Sequence, residues 1–181
     1  MLKGIMIMGL LAFLSGCSNG KAINQYEGQT PPLVLEEYFN GPIKAWGLVQ
    51  DYSGKVTRRF DVDMVGTWEG DVGRLEETFT YYDGETQQRV WTITKVADKK
   101  YQGTAGDIIG EATGKSAGNA IRWAYEMDLD VGDKTYRITF DDFMFLMNDG
   151  VLINRSYLKK FGLTVGELTI FMQKQGGQDA R

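Results

Sequence analysis

The sequence predicts an all-β protein, an antiparallel up-and-down barrel of about eight to nine strands with one short helix ahead of it. Two observations favour this fold. After residue 40 the chain consists mainly of short segments in which apolar and polar residues alternate, the period of a half-buried strand. Turns such as Ser53-Gly54 and Asp83-Gly84 separate these segments evenly and supply the positive φ that tight hairpins need. Closure into a barrel also removes sheet edges that would aggregate.

The elements follow in order along the chain. A short helix is predicted from Leu33 to Phe39, ending near Asn40-Gly41-Pro42. The longer break from Gly110 to Gly118 has a glycine at every fourth position, which indicates kinks, a bulge or a close backbone approach. The barrel domain would span residues 33–174, and the polar residues 175–181 would be a disordered tail. The predicted strands are Ile43–Tyr52, Lys55–Val65, Gly73–Tyr82, Thr86–Ala97, Tyr101–Ile109, Asn119–Val131, Thr135–Met147, Val151–Leu158 and Leu163–Gln173.

Residues 1–16 have the layout of a secretory signal peptide. Lys3 precedes an apolar run from Gly4 to Leu14, which small residues follow. The ending Leu14-Ser15-Gly16-Cys17 resembles a bacterial lipobox, after which Cys17 becomes the lipidated first residue of the mature protein. The apolar run is too short to remain as a transmembrane anchor, so we expect several acyl chains on Cys17 to attach the protein to a membrane.

The residues after the lipobox predict how and where the protein is attached. Residues 17–32 are polar, contain Pro31-Pro32 and carry no periodicity, so they are predicted to be the lipidated cysteine and a flexible tether. Ser18 occupies the position where an Asp often signals inner-membrane retention. By analogy with other lipoproteins, we expect the cell envelope, at the periplasmic face of the outer membrane.

Composition excludes several functional classes. The chain has no histidine, and its single cysteine is Cys17. Triads that use His and zinc sites of ordinary ligand type are therefore excluded, and an enzyme would have to use carboxylates, Lys, Ser or Tyr. A net charge of −4 without a basic run argues against nucleic-acid binding. We expect no cofactor, no metal and no catalytic residue.

Two short motifs suggest chemistry that their context does not support. Gly110-Glu111-Ala112-Thr113-Gly114-Lys115-Ser116 resembles a P-loop but has three residues between its glycines, where the pattern needs four, so no nucleotide is expected. Asp141-Asp142 is a pair of carboxylates. Neighbouring residues of a strand point to opposite faces, which keeps the two from sharing a metal site.

Two acid–arginine pairs fall on the predicted inward faces. Counting from the turn at Asp83-Gly84 brings Glu77 almost opposite Arg89, and counting from the turn at 148–150 brings Asp142 nearly opposite Arg155. Because buried charge needs a partner, we predict that these pairs form a polar floor in an apolar lumen. Surface pairs on a face that has been assigned wrongly, or structural ion pairs without a ligand, are the alternatives. The predicted lumen residues are Glu77, Phe79, Arg89, Trp91, Trp123, Tyr125, Phe140, Asp142, Arg155 and Tyr157.

From Arg59 to Lys174 the chain resembles a family of unknown function, Gram-negative lipoproteins with a lipocalin-like barrel. Genes of this family tend to lie near enzymes that modify membrane fatty acids, which implies a role in envelope lipid handling, and the family offers no catalytic residues. Phe143 stands where members often have Trp. The residues that carry the resemblance are Glu77–Tyr81 with Asp83-Gly84, Arg89–Trp91, Gly103–Asp107, Gly118–Ala120, Phe140–Phe143, Asn154–Ser156 and Lys160–Gly162.

The main functional hypothesis is a lipid-anchored periplasmic protein that binds a fatty-acid-like or other hydrophobic ligand. Arg89 and Arg155 would orient its carboxylate or phosphate head. A structural envelope lipoprotein with a packed barrel is one alternative, which a cavity too small for an acyl chain would favour. A lipid-modifying enzyme using Glu77, Asp142 or Tyr157 as acid or base is another. A carboxyl group with a strongly raised pKa inside a cleft would favour the enzyme.

Overall fold

The computed structural model describes residues 23–176, which form a closed barrel of ten antiparallel strands. Each strand pairs with its neighbours in sequence, and the first pairs with the last to close the sheet. The all-β up-and-down barrel is confirmed, with ten strands where eight or nine were expected. The strands are β1 (Gly41–Asp51), β2 (Val56–Glu69), β3 (Val72–Tyr81), β4 (Thr86–Ala97), β5 (Lys100–Thr104), β6 (Ile108–Ala117), β7 (Ala120–Val131), β8 (Lys134–Leu146), β9 (Val151–Lys160) and β10 (Leu163–Lys174).

The additional strand comes from the glycine-rich break. The sequence predicted one strand from Tyr101 to Ile109, but β5 ends at Thr104 and the chain returns as β6 through the glycine-rich residues. The register of β6 against β7 shifts between Ile109 and Thr113, and Gly110 has a φ of 68°, so this stretch is a bulged strand. The P-loop-like motif therefore lies in a strand and not in a loop before a helix.

Two glycines make room for an indole ring inside the barrel. A Cβ atom on Gly114 would lie 2.3 Å from Cε3 of Trp123, and one on Gly103 would lie 2.6 Å from its Cζ2. The absence of side chains at these two positions lets Trp123 pack directly on the backbone of β5 and β6, where it is buried. A side chain at either position would have to displace the ring.

The turns alternate between the two ends of the barrel because the topology is up-and-down. The β1–β2, β3–β4, β5–β6, β7–β8 and β9–β10 turns lie at one end, which we call the mouth. At the other end, the capped end, lies the helix α1 (Leu35–Tyr38), where the sequence predicted a short helix. Leu35, Tyr38 and Phe39 are buried in the core cluster at this end.

Polar contacts fix the cap to the barrel. Glu36 accepts hydrogen bonds from Lys95 at 2.5 Å and from the Tyr101 hydroxyl at 2.8 Å. Partial burial acts to raise the pKa of Glu36, but these hydrogen bonds outweigh it and lower that pKa. Nε1 of Trp68 donates to the carbonyl oxygen of Phe39 at 3.0 Å, and the Tyr38 hydroxyl donates to a carbonyl oxygen of the β8–β9 connection at 3.1 Å. The helix therefore closes this end of the barrel.

The segment from residue 23 to residue 32 corrects the prediction of a flexible tether over 17–32. A short 3-10 helix at Ile23–Tyr26 packs on the outside of the barrel, where Ile23 is buried against Phe143 and Tyr26 meets Phe145 edge to face. Apolar side chains on the outer face of β8 offer this segment a surface to cover. The predicted signal peptide, Cys17 and tether residues 17–22, and the tail residues 177–181, lie outside the described residues.

Within residues 23–176, no helix has the length and apolar character needed to cross a membrane.

Replacing Gly114 by Ala is expected to lower the free energy of unfolding by about 1–3 kcal/mol, because the new methyl group would overlap the Trp123 ring. Urea unfolding of the purified protein measures the change. Gly106→Ala is the matched control, since nothing lies within 4 Å of a Cβ atom there and its φ is not in the left-handed region. Equal stability of the two variants would contradict the packing role of Gly114.

Candidate ligand-binding cavity

A cavity of about 880 Å³ occupies the interior of the barrel. Leu35 and Phe39 of the cap line one end of it. At the other end it reaches the mouth, where the exposed residues Thr57, Glu85 and Val131 contribute to its wall. The barrel is therefore hollow, closed at the capped end and open at the mouth. This volume lies within the range of small-molecule sites in proteins.

Eight of the ten predicted lumen residues line this cavity. They come from β3, β4, β7 and β8, whose inward faces follow the alternation that the sequence predicted. The cross-strand pair of Glu77 and Arg89 is confirmed, since the two residues are direct partners in the β3–β4 register. The eight residues are Glu77, Phe79, Arg89, Trp91, Trp123, Tyr125, Phe140 and Asp142.

Arg155 and Tyr157 are not among the lining residues, and the prediction that they face the lumen is wrong. In β9 the inward residues are the even-numbered ones, Leu152 to Leu158, all of them buried. Arg155 is exposed and pairs with Glu167 at 2.5 Å on the outer face. The partner of Asp142 in the β8–β9 register is Ser156, so the predicted Asp142–Arg155 pair does not form.

The error in β9 has a physical cause. Both faces of this strand carry apolar residues, because Ile153 on the outer face lies beside Phe171 of β10. Alternation therefore gives no preference for either face. The connection to β8 contains a 3-10 turn in which Asp149 has a φ of 58°, and counting residues from this turn placed the strand one position out of step.

Aromatic rings form much of the apolar wall. The ring of Trp91 meets those of Trp123 and Tyr125 edge to face, with centroids 5.8 and 5.5 Å apart. Tyr125 in turn stacks on Phe140 at 4.9 Å. These contacts join β4 to β7 and β8 across the interior and hold the rings in defined orientations.

Arg89 is the centre of a polar cluster on one wall of the cavity. Its Nε lies 2.9 and 3.0 Å from the two carboxylate oxygens of Asp107, and its Nη2 lies 2.6 Å from one of them. Nη1 lies 3.8 Å from Oε2 of Glu77. Burial raises the pKa of Glu77 to about 7, against the opposing effect of the Arg89 charge. Asp107, from the β5–β6 turn, was not predicted because the sequence analysis placed it within a strand.

A second polar group lies on the β8–β9 wall, which we call the Asp142 row: Asp142, Ser156 and Asn154. Nδ2 of Asn154 donates to the hydroxyl oxygen of Ser156 at 3.1 Å, and that hydroxyl hydrogen-bonds Asp142. Burial raises the pKa of Asp142 to about 7, against the lowering effect of the Ser156 hydrogen bond. Oδ1 of Asp142 and Oδ1 of Asn154 are enclosed and have no hydrogen-bond partner among the described protein groups. Asn154 and Ser156 were missed because β9 was given the opposite face.

The mouth is surrounded by apolar side chains in solvent. Phe161 and Leu163 of the β9–β10 turn are 94% and 72% exposed, and Tyr52 of the β1–β2 turn is 87% exposed. No large apolar residue at the capped end is as exposed as these among residues 23–176. Arg58 lies over the ring of Tyr81 at 3.5 Å and pairs with Glu85 beside the opening.

Asp141, the other carboxylate of the Asp141-Asp142 pair, lies outside the cavity. It faces outward between Arg122 at 2.6 Å and Lys159 at 2.5 Å. The two carboxylates therefore lie on opposite faces, as predicted. No group of three or more acidic side chains among the described residues is arranged to hold a metal ion.

Fold and cavity together define a ten-stranded antiparallel β-barrel protein with a capped, hollow interior. The chain belongs to the family described as "Protein of unknown function (DUF3833)", whose model matches residues 11–174. No curated protein matches the chain significantly. The description of the family names no activity and no ligand.

The stability of the protein is expected to fall as pH rises from about 4 to about 7. Glu77 and Asp142 have pKa values of about 7 in the fold, above the ordinary values of 4.5 and 3.8. In the unfolded chain these groups ionise at about pH 4, whereas in the fold they keep their protons up to about pH 7, so stability is lost progressively between these pH values and levels off above them. No histidine titrates in the same window. Urea unfolding at several pH values measures the slope.

Glu77→Gln and Asp142→Asn should each reduce this slope, and the double variant should be nearly flat. Glu76→Gln is the matched control, because Glu76 is the exposed neighbour on the outer face of β3 and its replacement should leave the slope unchanged. An unchanged slope in the double variant would contradict the raised pKa values.

Proposed function

We propose that this protein is a lipid-anchored binding protein of the cell envelope whose lipocalin-like barrel holds a hydrophobic or amphiphilic small molecule. The observation that carries the proposal is the hollow interior, about 880 Å³ in volume and lined by aromatic and aliphatic side chains. Apolar cavities of this size take up molecules that would otherwise expose hydrocarbon to water. A role in envelope lipid handling follows from such a cargo together with the lipid anchor.

The cap and the mouth support entry from one side only. The helix α1 closes the capped end. The hydrogen bonds that Glu36 accepts from Lys95 and Tyr101 hold it against β4 and β5. The exposed apolar residues Phe161, Leu163 and Tyr52 surround the opposite end. An arriving amphiphile would therefore meet apolar surface at the mouth before it reaches the lumen.

The described part of the chain begins at the capped end, opposite the mouth. Ile23 packs near the β6–β7 turn at the capped end, and the residues between Cys17 and Ile23 can reach at most about 20 Å. A strand as long as β7, twelve residues, rises about 30 Å along the axis of a tilted barrel. A protein anchored through Cys17 at the periplasmic face of the outer membrane would thus present its mouth away from the anchoring leaflet.

An enzyme that acts on lipids is the second candidate. The observation that favours it is the pair of enclosed carboxyl groups, Glu77 and Asp142, whose pKa values of about 7 suit acid–base chemistry near neutral pH. Tyr157, the third residue considered for this role, is outside the cavity lining. Mass analysis of a ligand recovered from the protein separates the candidates, since an enzyme would alter the mass and a binding protein would return it unchanged.

Replacing Cys17 by Ser is expected to abolish incorporation of radiolabelled palmitate into the protein in a bacterial host, because the thioether that carries the lipid cannot form. Ser18→Ala is the control and should retain the label. Labelling of the Cys17→Ser chain would contradict lipidation at this residue.

The purified protein is expected to bind the neutral hydrophobic dye N-phenyl-1-naphthylamine, with an increase in dye fluorescence. Val49→Trp should weaken this binding at least about tenfold, because Val49 lines the cavity and an indole there would fill part of it. Val65→Trp places the same ring on the outer face, where Val65 is exposed, and should bind like the unchanged protein. Circular dichroism checks that both variants fold.

Native mass spectrometry of the same samples, before and after addition of dye, gives the stoichiometry. Absence of binding by the unchanged protein would overturn the proposed function. Equal binding by the two tryptophan variants would mean that the dye binds outside the lumen.

A further inference from the structure

Carboxyl groups outnumber guanidinium groups around the cavity. Two guanidinium groups line it, those of Arg58 and Arg89. Six carboxyl groups line it as well, namely those of Glu77, Glu85, Asp107, Asp128, Asp130 and Asp142. The cavity therefore repels an anion more than it attracts one.

Neither guanidinium is free to receive an anionic head group. Arg89 is bound by Asp107 on one side and lies 3.8 Å from Glu77 on the other. Arg58 pairs with Glu85 and lies 3.5 Å from Asp83. A carboxylate or phosphate that bound to either arginine would have to displace an existing carboxylate partner and would meet the second one at close range.

The Asp142 row offers the opposite chemistry. Asp142 and Asn154 are 4% and 2% exposed, both line the cavity, and each has one oxygen with no hydrogen-bond partner among the described protein groups. Between them, the Ser156 hydroxyl is already engaged by both neighbours. The row therefore ends in two enclosed acceptor oxygens, and an unpaired enclosed acceptor is costly until a donor reaches it.

We propose that the Asp142 row binds the head group of the ligand, and that this head is a hydrogen-bond donor, a hydroxyl or an ammonium group, on an apolar chain. Long-chain alcohols, hydroxyl-bearing acyl esters and long-chain amines belong to this class, whereas free fatty acids do not. The inference rests on the proposed function and narrows it. It replaces the expectation that Arg89 and Arg155 orient a carboxylate or phosphate.

Three probes that share one chain and differ in the head test the inference. Dodecanol below its solubility limit, and dodecylamine and dodecanoate below their micelle concentrations, compete with N-phenyl-1-naphthylamine for the purified protein at a pH of about 8, where a free carboxylate is ionised. The alcohol and the amine are expected to displace the dye at concentrations at least about tenfold lower than dodecanoate, the difference that one enclosed hydrogen bond makes.

Asp142→Asn tests whether the row itself makes the distinction. This variant keeps the shape of the side chain but removes its charge, so the advantage of dodecylamine over dodecanoate should fall at least about fivefold. Asp63→Asn is the matched control, because Asp63 is exposed on the outer face of β2. The advantage of dodecylamine over dodecanoate should be unchanged in this variant. Asn154→Ser, which shortens the other acceptor, provides a second variant should Asp142→Asn fail to fold.

The outcomes separate this inference from the proposed function. If dodecanoate displaces the dye as well as the alcohol and the amine, the head-group inference is overturned while a hydrophobic binding site remains. An unchanged preference in both row variants would overturn the assignment of the head to this row. If the dye and all three probes fail to bind, the proposed function fails and the inference with it.

Discussion

Closure of the sheet is the constraint on which the rest of this structure depends. Once β1 pairs with β10, every residue of a strand faces either the lumen or the outside, and the choice alternates along the chain. The inward faces of the ten strands line the interior, and the combined volume of their side chains does not fill it. The cavity is therefore a property of the closed sheet and of no single segment.

The lumen combines an aromatic wall with enclosed charge, and the balance between them decides what it can hold. Arg89 is enclosed with Asp107 and Glu77, a grouping that satisfies the guanidinium and leaves excess negative charge. On the β8–β9 wall, Asp142 and Asn154 present oxygen atoms without donors. For the binding function that we propose, these features would favour an apolar molecule that brings a hydrogen-bond donor over the anionic lipid that two inward arginines would have suited.

The cap and the mouth make the two ends of the barrel different, one covered and one accessible. Residues 23–39 cover the outside and one end, so the chain before the first strand contributes to the fold instead of serving only as a connection. The exposed apolar residues at the opposite end leave the interior accessible there. Under the proposed function, with attachment through the N-terminal segment, a ligand would enter from the side that faces away from the membrane.

The sequence by itself determined the class of fold, most strand boundaries and most of the lumen. It succeeded where one face of a strand is apolar and the other polar, as in β7, or where a short turn fixes the register, as between Glu77 and Arg89. Only the tertiary structure decided the face of β9, because Ile153 packs beside Phe171 on the outer surface and makes both faces apolar. The tertiary structure also decided that the glycine-rich stretch forms a strand. The ring of Trp123 lies against Gly103 and Gly114, and this contact, which requires glycine, comes from another strand. Alternation along one strand cannot record contacts that come from other strands, and these contacts set the partners of Arg89 and the enclosed acceptors of the Asp142 row.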